Sequence, residues 1–158
     1  MIGITILVVA LVLVVAVGFF LKSRNGAVRA RPATAPGTST DRLALLRGAG
    51  VESVGGGPVV LHFSADWCGP CAAVRRVVGQ VVTTMASAPR PPLEVELDID
   101  HEAALAREMS VLSLPTTFIL DGDLTERFRV SGVPSAGDLE AALVPLSGPS
   151  EPKSGNPG

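Results

Sequence analysis

The chain has 158 residues, enough for one domain of ordinary size with short flanking segments. Thirteen basic and 15 acidic residues give a formal net charge of −2. This balance excludes the basic surface typical of nucleic-acid-binding domains, so we expect no nucleic-acid partner. Only two cysteines occur, too few for a secreted scaffold held together by disulfides.

An almost unbroken apolar run, from Ile2 to Leu21, begins the sequence. A helix of about 20 residues, rising roughly 1.5 Å per residue, spans a bilayer core of about 30 Å. The run therefore predicts a transmembrane anchor over residues 1–22. A cleaved signal peptide is the alternative, but no basic residue precedes the run, and the run exceeds the usual apolar core of such a peptide.

Four basic side chains follow the apolar run before any acidic residue: Lys22, Arg24, Arg29 and Arg31. The positive-inside rule places such a flank in the cytoplasm. We expect a single-pass protein of a bacterial plasma membrane, with its domain on the cytoplasmic side. Beyond the anchor, composition predicts a basic and then Pro/Ala/Thr-rich linker over residues 23–40, a folded domain over 41–146 and a disordered tail over 147–158.

Hydrophobic periodicity within the domain predicts alternating helices and strands. In chain order these are a helix (41–47), a strand (59–63), a helix (70–85), a strand (93–99), a helix (101–109), two strands joined by a turn (116–120 and 124–130) and a closing helix (138–144). Right-handed crossovers make the first two strands parallel, and the hairpin adds an antiparallel pair. Because Glu94, Glu96 and Asp98 alternate with apolar residues, we expect their strand at the sheet edge.

A pair of cysteines, Cys68 and Cys71, stands where a strand ends and a helix is predicted to begin. Unpaired backbone N–H groups and the helix dipole favour a thiolate at that position, and a thiolate is the attacking species in disulfide exchange. Cys71, about one turn further on, can attack a mixed disulfide formed at Cys68. The pattern predicts thiol–disulfide exchange.

The segment Trp67-Cys68-Gly69-Pro70-Cys71 resembles the active-site signature of the thioredoxin family, and the resemblance covers roughly residues 41–146. It implies a thioredoxin fold: an α/β domain with a mixed central sheet of about four strands flanked by helices. Cys68 is then the attacking thiol and Cys71 the resolving thiol. The substrate-binding residues implied by the resemblance are Trp67, Gly69, Pro70, Leu114, Pro115 of a cis-proline loop, and Gly132.

Together with the predicted anchor, the resemblance implies a membrane-tethered thiol–disulfide oxidoreductase that reduces protein disulfides without a bound cofactor. Its partners would be disulfide-bearing proteins and an electron donor, either a thioredoxin reductase or a membrane thiol carrier. Two alternatives stay open. One is an extracytoplasmic reductase or isomerase, for example of the cytochrome maturation type, and the other is a non-catalytic docking module.

The sequence departs from the family at two linked positions. His62 stands where the family usually has a buried aspartate, and Glu96 stands where it often has a lysine. Our hypothesis is that neutral His62 accepts the Cys71 proton while Glu96 orients the ring. A packed core histidine and a surface glutamate are the alternative interpretation. A zinc site formed by the cysteines, His62 and His101 is disfavoured because the histidines lie far apart in the sequence.

Overall fold

The computed structural model describes the backbone of residues 2–24, 26–30 and 40–149, and the side chains of residues 5–18, 26–30 and 40–149. Half of the predicted linker (31–39) and most of the predicted tail (150–158) lie outside the described residues. Where side chains are described, no helix is long and apolar enough to cross a membrane.

The described chain alternates helices and strands in the predicted order. The helices are α1 (Ile2–Arg24), α2 (Thr40–Gly48), α3 (Cys71–Thr84), α4 (Ala103–Glu108) and α5 (Ala136–Ser147). The strands are β1 (Arg29–Ala30), β2 (Val59–Ser64), β3 (Leu93–Asp98), β4 (Thr116–Leu120) and β5 (Glu126–Ser131).

The strands form one mixed sheet in the order β1-β5-β4-β2-β3. β2 and β3 run parallel, as the crossover rule predicts, and β4 pairs antiparallel with both β2 and β5. β3 lies at the edge of the sheet formed by the described strands, which confirms the expectation from its alternating acidic residues.

The central strand β2 is buried along its whole length because helices cover both faces of the sheet. Leu61 and Phe63 point to one side and pack with buried residues of α2 and α4. Val60 points to the other side and packs with buried residues of α3 and α5. The end of this strand is therefore a rigid base for the loop that follows it.

One strand was not predicted from the sequence. β1 pairs antiparallel with β5, with Arg29 opposite Arg129 and Ala30 opposite Phe128. The stretch 26–30, which composition assigned to a linker, is thus part of the folded domain. Its short Gly-Ala-Val-Arg-Ala sequence carries no strand pattern, and the edge of β5 gives it a partner for its backbone groups.

Candidate active site

Three loops meet at one end of the sheet. Because β2 and β4 are antiparallel, the end of β2 at Phe63 lies opposite the start of β4 at Thr116. Thr116 in turn lies opposite Ser131, the last residue of β5. The cysteine loop, the loop before β4 and the loop after β5 are consequently neighbours.

The two cysteines are joined by a disulfide, with 5.5 Å between their Cα atoms. The Cys68 amide donates to the Ala65 carbonyl at 3.0 Å, so the chain turns sharply after the strand. α3 begins at Cys71, with Pro70 as its N-cap residue, close to the predicted start. Cys68 is partly exposed, whereas Cys71 is 1% exposed, so an incoming disulfide can reach only the first sulfur.

The second and third loops supply a docking surface beside the disulfide. The Leu114–Pro115 peptide bond is cis, as the resemblance implied. The Gly132 amide donates to the Pro115 carbonyl at 2.8 Å, which holds the loop after β5 against the cis-proline. Gly132 has a φ of 91°, a conformation that side-chain-bearing residues rarely adopt.

Two large apolar side chains stand exposed on these loops. Trp67 is 71% exposed, and Leu112, on the loop that leads to the cis-proline, is 94% exposed. Sequence reasoning included Trp67 among the substrate-binding residues but missed Leu112, which no motif marks. Gly69 and Pro70 are exposed between the cysteines, and Leu114 is half-buried.

His62 is completely buried one residue before Phe63, whose carbonyl oxygen lies 4.0 Å from the Cys71 sulfur. Its Nε2 is 3.0 Å from Oε1 of Glu94. A carboxylate accepts hydrogen bonds, so this contact favours the tautomer with hydrogen on Nε2 and a lone pair on Nδ1. Nδ1 has no hydrogen-bond partner among the described residues.

The predicted partner of His62 was wrong. Glu96 is opposite His62 in the β2–β3 register, but its carboxylate accepts from Nε of Arg75 on α3, at 2.7 and 2.8 Å. This hydrogen bond lowers the pKa of the Glu96 carboxyl from its usual value, against a smaller opposing effect of burial. Glu94, two residues earlier on the same face of β3, orients the histidine instead.

Thr117 is a second polar residue at this position that sequence reasoning missed. It is fully buried opposite His62 on β4, and its hydroxyl has no hydrogen-bond partner in the described part of the chain. Directly opposite residues share one face of a sheet, so both unpartnered atoms lie on the α3 side. No group of three metal-ligating side chains suited to an ion occurs among the described residues.

The buried cysteine can displace whatever is bound to the exposed one, and closure of their disulfide transfers two electrons from the protein to a substrate disulfide. This arrangement, at the end of a central strand and beside a cis-proline, makes the protein a thiol–disulfide oxidoreductase.

Comparison with known proteins assigns the family. The family model for thioredoxin matches residues 51–144. Thioredoxin Asp f 28 of Aspergillus fumigatus is 37% identical over 93 residues, covering 58% of this chain and 80% of that protein. The bifunctional thioredoxin reductase/thioredoxin of Mycobacterium leprae is 41% identical over 66 residues, which are 41% of this chain and 14% of that protein.

Solved structures agree with these sequence matches. Thioredoxin-2 of the malaria parasite is similar to this chain with a TM-score of 0.51 and 28% identity, over 56% of this chain and 82% of that one. The chain belongs to the thioredoxin family.

Proposed function

We propose that this protein is a membrane-tethered reductase of protein disulfides, working from the dithiol form of Cys68 and Cys71. The observation that carries the proposal is the difference in exposure between the two sulfurs: Cys68 is accessible and Cys71 is buried beneath it. Such a pair separates the attack on a substrate from the release of the product.

The reaction has two steps. The Cys68 thiolate attacks one sulfur of the substrate disulfide, which forms a mixed disulfide and releases the first substrate thiolate. The Cys71 thiolate then attacks the Cys68 sulfur and releases the second substrate thiolate. The substrate gains two electrons, and the protein is left with the Cys68–Cys71 disulfide present in the structure.

We assign the Cys71 proton to His62. The Cys71 sulfur lies 4.0 Å from the carbonyl oxygen of Phe63, and His62 is the residue that precedes Phe63 on β2. The Glu94 contact occupies Nε2 and leaves Nδ1 as the basic atom. Glu94 also faces the imidazolium that would form on proton uptake, and its negative charge stabilises that cation.

The tether rests on α1. Its 23 residues would extend about 35 Å, enough for a bilayer core of roughly 30 Å. Ten large apolar side chains between Ile6 and Val17 are each more than half exposed. A helix that is apolar on every side requires lipid or protein around it, and lipid also agrees with the basic flank that follows.

The identity of the electron donor depends on which side of the membrane the folded domain lies. With the domain in the cytoplasm, as the basic flank favours, a soluble thioredoxin reductase can return Cys68 and Cys71 to the dithiol state. The Mycobacterium leprae relative, whose name joins a reductase to a thioredoxin, supports this pairing. A domain on the outer side would instead need a membrane thiol carrier.

The direction of electron flow is tested by the midpoint potential of the full chain in detergent, followed by Trp67 fluorescence. Trp67 is the only tryptophan and adjoins Cys68, so its emission reports the state of the pair. We expect a value near the −270 mV of reducing thioredoxins. A value above about −180 mV would exclude the reductase and favour an isomerase or oxidase.

The order of the thiols is tested by trapping. A Cys71→Ser variant should accumulate a mixed disulfide between Cys68 and a substrate protein, because the second attack is lost. The matched Cys68→Ser variant should trap none, since Cys71 is buried. Equal trapping by both variants would contradict the assignment of Cys68 as the attacking thiol.

A further inference from the structure

The segment that follows α1 is fastened to the active-site end of the sheet. The Gly26 amide donates to the Ser131 carbonyl at 2.7 Å, and β1 continues the pairing along β5. Gly26 is buried with a φ of 90°, and a Cβ atom at this position would clash with the Val133 carbonyl oxygen. Only glycine fits this close contact between the two backbones.

Ser131 and Val133 flank Gly132, the residue that closes the docking surface against Pro115. The chain that leaves α1 therefore comes within a few residues of one wall of this docking surface, which we call the substrate groove. Arg24 and Gly26 are two Cα steps apart, at most about 7.6 Å, and a paired strand adds roughly 5 Å. The groove wall thus lies within about 13 Å of the last residue of α1.

Pairing of β1 with β5 shortens the distance over which the folded domain can move away from α1. If residues 25–39 were all free, this 15-residue stretch could extend about 50 Å from the end of the helix. With residues 26–30 paired to β5, only Asn25 separates α1 from the folded domain. The groove is held near the helix end instead of being free to search a wide volume.

The side chains at the rim of the groove suit a position beside a membrane. Trp67 and Leu112 are the exposed large apolar residues of the active-site loops, at 71% and 94% exposure. Tryptophan suits an environment that is apolar on one side and wet on the other, as at a membrane interface. Trp and Tyr are enriched where membrane proteins leave the bilayer, so segments at this level offer aromatic partners to these two side chains.

We propose that the groove acts on disulfides in the segments of membrane proteins that lie directly beside the bilayer. This inference rests on the proposed tether and reductase activity, and it names their substrate class. A disulfide within about 13 Å of the surface meets the groove at a high effective concentration, whereas one held far from the membrane does not meet it.

The test uses the full chain in lipid vesicles with two single-span peptides, each carrying one disulfide loop. In the near peptide the loop follows the span directly. In the far peptide a helical spacer of about 30 residues holds the loop roughly 45 Å away. We expect the near disulfide to be reduced at least about ten times faster, from the difference in effective concentration.

Two variants test whether docking causes the preference. Gly26→Ala should release the segment from β5 and reduce the near-to-far ratio below about 3, since the groove can then reach further. Insertion of about 20 Gly/Ser residues between Asn25 and Gly26 should do the same without disturbing β1. Gly48→Ala, whose Cβ meets open space, is the matched control and should keep the preference.

Three measurements keep the inference separate from the function on which it rests. Reduction of a soluble protein disulfide reports the oxidoreductase, and flotation with vesicles reports the tether. If both succeed and the near-to-far ratio is one, or if the insertion variant keeps the wild-type ratio, the inference fails and the proposed function stands. If the soluble disulfide is not reduced, or the chain does not float, the proposed function itself fails.

Discussion

Replacing His62 with glutamine removes the proposed proton acceptor from the buried site while keeping a side-chain N–H that can donate to Glu94. We expect the second step, the attack of Cys71 on the mixed disulfide, to slow about 100-fold. General-base catalysis contributes about 10²–10⁴-fold, and we take the lower end of that range. The barrier then rises by about 2.7 kcal/mol.

The step is isolated in a single turnover. Reduced protein is mixed with a disulfide peptide, quenched with acid at increasing times, and the Cys68 mixed disulfide is quantified by mass. In the variant this species should accumulate, while the rate of its formation stays unchanged.

The matched control is His101→Gln, because His101 is the other histidine and its side chain is 87% exposed. It should decay at the wild-type rate. A His62→Gln mixed disulfide that decays as fast as wild type would refute the assignment and leave His62 as a packed core residue.

Two further predictions concern stability. Since a hydrogen bond from Arg75 lowers the pKa of Glu96, it stabilises the fold above the ordinary pKa, and this stability is lost as the pH falls through the lowered pKa. Arg75→Ala should therefore lower the urea midpoint slightly at pH 7 but not at strongly acidic pH. The control variant Arg76→Ala should show no such pH-dependent loss. An equal loss for Arg75→Ala at both pH values would contradict the pairing with Glu96. Gly122→Ala should cost about 1–3 kcal/mol in urea unfolding, because its Cβ would lie 2.5 Å from a backbone carbonyl oxygen, whereas Gly48→Ala should cost nothing.

Most of the fold could be predicted because local patterns and the sheet agree. The apolar run at residues 59–63 had the length and composition of a fully buried strand, and β2 is an interior strand that is buried at every residue. The acidic alternation at residues 94–98 indicated an edge strand, and β3 is at the edge. In both elements, the pattern of apolar and polar side chains along the strand is enough to predict whether the strand is buried or lies at an edge.

β1 could not be predicted, for the opposite reason. Its two residues, Arg29 and Ala30, are exposed and carry no alternation. What holds the segment is the backbone edge of β5 and a contact at Gly26 that excludes any side chain. The only sign of this contact in the sequence is a glycine, and the sequence has 17 glycines, so Gly26 cannot be singled out without the structure.

The sequence predicted Glu96 as the partner of His62, whereas the structure has Glu94, two residues earlier on the same face of β3. Alternation placed Glu94 and Glu96 on one face, and the register correctly put Glu96 opposite His62. Periodicity does not say that Arg75, one turn into α3, bonds to that carboxylate. With Glu96 bonded to Arg75, the histidine bonds to the neighbouring acid, so a prediction of register is not yet a prediction of contacts.

The exchange of acid and base between the strands has a physical logic. A buried aspartate brings a charge out of water, whereas a neutral imidazole can be buried at a lower cost. Here the imidazole of His62 is completely buried, and its carboxylate partner Glu94 keeps 29% of its side chain exposed at the sheet edge. The charged group stays in contact with water. The edge position of β3 thus places the carboxylate of the pair near the surface, and only the imidazole lies deep in the fold.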